Sequence, residues 1–364
     1  MEASVMSIQD IINERKIPEL MRLKTGRRIK TEADLEKRRE EIKKIMQEEE
    51  YGYIPPKPDH LDVSVIEEYG NFCAGKAVRR KLKFTVTIGE KTFSWPVTAS
   101  IPQNKTNIPA FVHINFRPDV PDMYQPTEEI IDNGFAVLSF DYRDVTSDNN
   151  DFKNGIAPIF GNRRRNDAPG KIAMWAWAAM RVMDYIETLD MIDKSNVAVV
   201  GHSRLGKTAL VAGGYDERFK YIISNDSGCS GAAITRGKQG ETPVVITNVF
   251  PFWFCPKYNK NAAKFDEGKF DQHFLMALSC PRHLMVGSAE EDLWADPASE
   301  FLGAEMASEF WRFKGMRGLV HNGEIPEAKS VLGDGEVLYH VRKHAHYFSR
   351  EDWQEYMAYI KKNL

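Results

Sequence analysis

Six short, uninterrupted apolar runs recur along the chain, and they limit what it can fold into more than any other feature. They occupy residues 110–116, 135–140, 197–200, 221–224, 283–286 and 337–341. Each is too short for a helix of ordinary length, and each leads into a loop. Strands that are apolar on both faces belong to a parallel sheet covered by helices on both sides. Residues 172–189 instead follow the helical period, with Trp175, Trp177, Met180, Val182 and Tyr185, and predict a helix crossing from the second run to the third. Upstream the period changes again. Leu82, Phe84, Val86 and Ile88 alternate with polar residues, Gly89-Glu90-Lys91 makes a turn, and Phe93, Trp95 and Val97 resume the alternation, which predicts an antiparallel pair. Before it, Thr31-Glu32-Ala33-Asp34 has the form of a capping box with Asp in place of the preferred Glu. It opens a charge-dense helical stretch, 35–50, stopped by Tyr51-Gly52 and Pro55-Pro56. The expected organisation is an N-terminal helical extension, residues 1–60, packing on a main α/β domain, residues 61–364, with a mostly parallel central sheet flanked by helices. Active sites of such sheets lie beyond the carboxyl ends of the strands, so the loops after the runs are the places to search.

Composition narrows the function classes. The chain has 364 residues, 42% hydrophobic and 28% charged, with a formal net charge of −3. That balance argues against nucleic acid or an anionic membrane surface as the main partner. The first residues, Met1 to Met6, lack the basic and apolar regions of a secretory signal, and no apolar stretch is long enough to span a bilayer. The expectation is a soluble chain, cytoplasmic or a secreted form whose leader has been removed. The four cysteines, Cys73, Cys229, Cys255 and Cys280, form no CxxC pair, so neither a zinc nor a redox centre is expected. Cys229 and Cys255 fall in loop-like sequence and leave open a bridge in an oxidising compartment, against four reduced thiols.

Residues 197–210 read Val-Ala-Val-Val-Gly-His-Ser-Arg-Leu-Gly-Lys-Thr-Ala-Leu. A buried strand ends at Gly201, Ser203 sits on the turn, and a helix-forming run follows. This is the setting of a nucleophile elbow, where the serine hydroxyl stands in the open beside the first N–H groups of a helix. The pattern departs from G-x-S-x-G, because Leu205 takes the last position and Gly206 comes one later. The plainer reading is an ordinary strand–turn–helix junction capped by serine.

A serine nucleophile needs a histidine base, and in this arrangement the order along the chain is nucleophile, acid, histidine. The last run supplies His340, inside the strand pattern, and His344 and His346 on the loop beyond it. His-x-His has no third ligand at metal-site spacing, so no metal or other cofactor is expected. The loop after the fifth run offers Glu290, Glu291, Asp292 and Asp296 as the acid, and the loop after the fourth offers Asp226. Spacing alone leaves the acid open.

The stretch 201–210 resembles the nucleophile motif of the glucuronoyl esterases, carbohydrate esterase family 15. In order along the chain, similar stretches are Tyr51-Gly52 with Pro55-Pro56, Ala173 to Trp177, Asp216 to Phe219, Ser224 to Ala233, Asp271-Gln272-His273, Ser288 to Pro297 and Asp352-Trp353. The resemblance implies an α/β-hydrolase fold and cleavage of an ester between a glucuronic acid carboxyl on a polysaccharide such as xylan and an alcohol of lignin type. It implies Ser203 as nucleophile, His346 as base, and Arg204 at the oxyanion through side chain and N–H, with a further N–H near Phe116 and Arg117. Asp292 matches the acid of many bacterial members and is the acid the resemblance favours; Asp226, the alternative, matches a position where fungal and some bacterial members carry the longer Glu. Lys207 and Trp294 match residues that hold the uronate sugar, and Glu241 matches an acceptor of sugar hydroxyls. The run Arg163-Arg164-Arg165 is expected to be solvated, or else to meet an acidic polysaccharide. Removal of acetyl groups from xylan, and a silent sugar-binding protein on the same fold, are the competing functions.

Overall fold

A computed structural model describes residues 7–364 apart from 119, 121 and 161. Its strands are β1 (His60–Asn71), β2 (Ala77–Ile88), β3 (Lys91–Pro102), β4 (Ile108–Asn115), β5 (Ala136–Asp141), β6 (Ile192–His202), β7 (Tyr221–Asn225), β8 (His283–Ala289), β9 (Val331–Leu332) and β10 (Val337–Arg342). They form one sheet in the order β1-β2-β3-β5-β4-β6-β7-β8-β10-β9. The six apolar runs are β4, β5, β6, β7, β8 and β10, and all their pairings with one another are parallel. The remaining pairings, β1·β2, β2·β3, β3·β5 and β9·β10, are antiparallel.

Alternate residues of the parallel strands face opposite layers, as the period of two requires. Val112, Leu138, Val199, Ile222, Leu284 and Tyr339 pack into the larger core under the helices Lys171–Ile186, Arg204–Tyr215 and Pro297–Ala307. Phe111, Val137, Val200, Ile223, Met285 and Leu338 face the other layer, closed by Trp353, Tyr356 and Ile360 of the helix Arg350–Lys362. The predicted crossing helix runs from Lys171 to Ile186, between β5 and β6. The hairpin turns on Gly89-Glu90, with Ile88 paired to Lys91.

The helix predicted at 35–50 runs from Glu32 to Met46, capped by Thr31 and Asp34 reciprocally, and continues as a π-helical turn, Gln47–Tyr51. The wider turn sets the adjacent Glu50 and Tyr51 both inward, where Tyr51 donates to Ser230 O at 2.8 Å. Leu20, Leu35, Ile42 and Met46 of the N-terminal segment are buried in the same core as the sheet, and Arg39 donates to Cys280 O at 2.6 Å.

Three features depart from expectation or resolve it. β1 adds a strand to those expected: Leu61, Val63 and Val65 alternate with polar residues, but it is an edge strand in which only Leu61 and Val63 are partly buried and the rest is exposed. All four cysteines are free thiols, Cys229 and Cys255 included. The arginine run is only partly solvated: Arg164 and Arg165 are exposed, but Arg163 donates to Phe254 O at 2.9 Å and lies 4.6 Å above the Phe152 ring. Among the described residues no helix is long and apolar enough to cross a membrane.

Candidate active site

β6 delivers Ser203 onto its turn at φ 58°, ψ −127°, a backbone setting that side-chain-bearing residues rarely occupy. The flanking glycines are steric requirements. A Cβ on Gly201 would stand 2.1 Å from Leu205 O, and one on Gly206 would stand 3.0 Å from Ser227 Cβ on the loop after β7. The glycine one place later than G-x-S-x-G therefore serves the close approach of that second loop, while Leu205 is buried in the core. Ser203 N–H donates to Asn225 O at 2.8 Å, which fixes the turn against β7. The helix Arg204–Tyr215 starts at once, and the N–H of Arg204, its first residue, has no intrahelical acceptor.

His346 lies on the loop after β10, with its ring centroid 4.4 Å from that of His202, the neighbour of Ser203. Its Nδ1 is 2.6 Å from Asp292 Oδ2. Asp292 is on the loop after β8, and its Oδ1 also accepts the N–H of Ala295 at 3.2 Å. Burial alone would raise the Asp292 carboxyl, but the hydrogen bond and charge of His346 outweigh it, and the group is held below its ordinary value. Among the described residues the Ser203 hydroxyl has no hydrogen-bonding partner. Catalytic hydrogen bonds of this kind commonly tighten only when substrate is seated.

Asp226 approaches the same imidazole, since one ligand atom from each of Asp226, Asp292 and His346 lies within 4.8 Å of the others. Its Oδ2 is engaged by Arg342 at 3.2 Å and its Oδ1 is buried without a partner. Burial, then the charges of Glu300 and Asp352, push the Asp226 carboxyl well above its ordinary value against the pull of Arg342. These three donors are of metal-binding type, but the Arg342 guanidinium already supplies the cation on the Asp226 side. Of the other candidates, His340 bonds Asp352 Oδ1 at 2.8 Å in the interior, and His344 turns outward at φ 75°. Glu290 and Glu291 are exposed, and Asp296 caps the helix Pro297–Ala307.

The guanidinium of Arg204 sits among the faces of Trp253, Phe250 and Phe116, at 4.7, 5.3 and 5.8 Å, and its Nη1 donates to Asp148. Of the two N–H groups expected near the oxyanion, that of Arg117 donates to Asn115 Oδ1 at 3.2 Å. Lys207, one turn beyond Ser203, is buried rather than solvated, and its Nζ donates to Ser227 O. Burial lowers its pKa and the nearby Glu241 works against that. Glu241 N–H donates to Trp294 O at 3.1 Å, which ties it to the loop that carries Asp292, and the Trp294 side chain is 57% exposed. Lys207, Glu241 and Trp294 thus line one side of the elbow, with a charged donor, an acceptor and an open aromatic face.

Two acidic residues at the site escaped the sequence reading. Glu300 is fully buried behind the elbow, accepts from Ser288 Oγ at 2.6 Å and Gly228 N at 2.9 Å, and is pushed up to about 7 by burial. Asp148 lies on the loop after β5, at the strand end where the sheet rule directs the search. That loop also holds Asp144, Asn149, Asn150 and Asp151, and nothing in the sequence singles out one of them.

Comparison with known proteins agrees with this geometry. The sequence model of a family described as "Glucuronyl esterase, fungi" matches residues 84–315. A carbohydrate esterase of an unknown prokaryotic organism is 32% identical over 90% of this chain and 85% of its own length. A 4-O-methyl-glucuronoyl methylesterase of Neurospora crassa is 29% identical over 78% of this chain and 69% of its own. Among solved structures, a glucuronoyl esterase from Solibacter usitatus superposes with a TM-score of 0.88 at 32% identity, covering 95% of this chain and 97% of the other. A promiscuous esterase of carbohydrate esterase family 15 from a marine bacterial metagenome gives 0.87 at 29%, covering 96% and 97%. With its parallel sheet, its elbow serine and matches that run through the whole of the catalytic layer, the chain belongs to the glucuronoyl esterases, carbohydrate esterase family 15, carboxylic-ester hydrolases of the α/β-hydrolase fold.

Proposed function

We propose that the chain hydrolyses esters of glucuronic acid and its 4-O-methyl ether, carried on xylan-type saccharides, through an acyl-enzyme at Ser203. The observation that bears most weight is the 2.6 Å contact between His346 and Asp292 beside the elbow. A carboxylate on Nδ1 fixes the tautomer that leaves Nε2 free to take the serine proton, and it stabilises the imidazolium that results. Ser203 Oγ bonds to the ester carbon, and the negative charge formed on the carbonyl oxygen is met by the N–H and guanidinium of Arg204. The carbon–alkoxy bond then breaks as His346 returns its proton to the leaving alcohol. Water repeats the sequence to release the uronate. Lys207 and Glu241 hold sugar hydroxyls and Trp294 covers a ring face, so the sugar enters on that side of the elbow.

The experiment compares methyl glucuronate, benzyl glucuronate and acetylated xylan. Both uronate esters are cleaved, and Ser203→Ala abolishes the cleavage. Turnover of acetyl esters alone would refute the reading in favour of a deacetylase, and sugar binding with no ester turnover would leave only a binding protein.

A further inference from the structure

A guanidinium on a long, flexible side chain stabilises an oxyanion only if it is already in place when the charge forms, since preorganisation is what makes such a donor effective. What holds Arg204 is Asp148, and both of the Asp148 oxygens are committed. Oδ2 accepts from Arg204 Nη1 and from the Tyr142 hydroxyl, the latter at 2.7 Å. Oδ1 accepts from Trp253 Nε1 at 2.7 Å. Trp253 is also the ring beneath the guanidinium, and it stacks on Phe250 with centroids 3.9 Å apart and planes 2° from parallel. One carboxylate therefore fixes the arginine by its edge and, through the indole, by its face.

The loop bearing Asp148 is fastened in turn. Lys171, fully buried at the start of the helix Lys171–Ile186, donates to Ser147 O at 2.5 Å and to Asp151 O at 2.7 Å, on either side of Asp148. Trp175 Nε1 donates to Thr146 O at 3.1 Å. The same clamp leaves a buried donor over: Arg204 Nε has no hydrogen-bonding partner among the described residues, one residue along from Ser203. A buried donor without an acceptor is costly unless something arrives to accept from it.

We propose that Asp148 is a positioning residue for the reaction: by holding Nη1 of Arg204 and the indole under it, it presents the remaining edge of the guanidinium to the oxygen that becomes negative. The proposal rests on the oxyanion role of Arg204. Asp148 does not itself touch the substrate, so its loss acts on kcat and leaves KM nearly unchanged, because the ground-state ester carries no charge for the guanidinium to meet.

The test is a double-mutant cycle on benzyl glucuronate with Asp148→Ala, Arg204→Ala and the pair. Asp148→Ala lowers kcat by about tenfold or more, with KM within about threefold. In the Arg204→Ala background the same change alters kcat by less than about threefold, because the side chain it served is gone. Trp253→Phe keeps the ring and removes one donor to Asp148; it lowers kcat in the same direction by less, and it stands in for Asp148→Ala should that variant show no cooperative melting. Equal slowing by Asp148→Ala with and without Arg204, or a rise in KM alone, overturns the proposal. An Arg204→Ala enzyme as fast as the parent overturns instead the oxyanion reading on which it rests.

Discussion

Asp292 and Asp226 carry the same side chain and reach towards the same imidazole, yet their surroundings give them opposite characters. Asp292 takes the hydrogen bond of His346 and is held ionised, while Asp226 is driven by burial and by Glu300 towards its neutral form. Replacement by the neutral isostere separates them. Asp292→Asn removes the charge that steadies the imidazolium and permits the wrong tautomer, so kcat on benzyl glucuronate falls by about 10³–10⁴-fold. Asp226→Asn resembles the protonated acid already favoured there, and kcat stays within about tenfold of the parent. A fall in Asp226→Asn as deep as in Asp292→Asn would make Asp226 the acid of the triad. The sequence exposed both aspartates through their place after strands, but the choice between them turns on Arg342, Glu300 and Asp352, which approach from elements far along the chain.

Among the elements, the π-helical turn Gln47–Tyr51 puts an acid where the fold has no use for its charge. Both Glu50 carboxyl oxygens lie 3.1 Å from Gln272 Nε2, and the Gln272 Oε1 is buried without a partner. Burial pushes Glu50 up to about 8 from an ordinary 4.5. Between those values the folded chain holds a proton that the unfolded chain has released, so this group's contribution to stability declines as pH rises through that window and is level above it. Glu50→Gln titrates in neither state, and its amide can donate to Gln272 Oε1. Its stability relative to the parent therefore grows between pH 5 and pH 8, by on the order of 2–4 kcal/mol at about 1.4 kcal/mol per unit. Urea unfolding of both proteins at the two pH values measures it, and a difference that stays the same at both removes Glu50 as the cause. This turn shows where sequence reading stops at the level of elements. The Thr31–Asp34 cap and the charge-rich helical period were legible because they are local. The change to a π turn was not: its Tyr51 and Glu50 find their partners in Ser230 and Gln272, which meet it only in the folded chain. β1 carries only a short signal, Leu61, Val63 and Val65 alternating with polar residues, and the alternation breaks at Val65-Ile66, from where its residues, Tyr69 among them, face solvent.

In the whole molecule, three loops separated by long stretches of chain meet at one end of the sheet because β6, β8 and β10 run parallel and are neighbours or near neighbours in it. Their register depends on the layer beneath, and that layer includes the N-terminal segment. Ile8, Ile17, Leu20, Leu23, Ile29, Leu35, Ile42 and Met46 are all buried in the core that also takes one face of the sheet. Arg15 reaches from this segment to Ser299 Oγ at 2.7 Å, in the helix that follows the Asp292 loop, and Pro18 O lies 3.0 Å from His273 Nε2. Each buried aliphatic side chain contributes ~1.5–3 kcal/mol relative to exposure, an upper estimate since unfolded chains bury some of it. Removing the segment also opens to water the core surface that these eight cover, a loss comparable with the ~5–15 kcal/mol by which an ordinary domain is stable. A chain lacking residues 1–46 is therefore expected to lose cooperative folding rather than merely to melt earlier, and to lose esterase activity with it. Circular dichroism melts and turnover of benzyl glucuronate test this together. A shortened chain that melts in a single sharp transition and still cleaves the ester would show that the sheet and its loops hold their register without the segment beneath them.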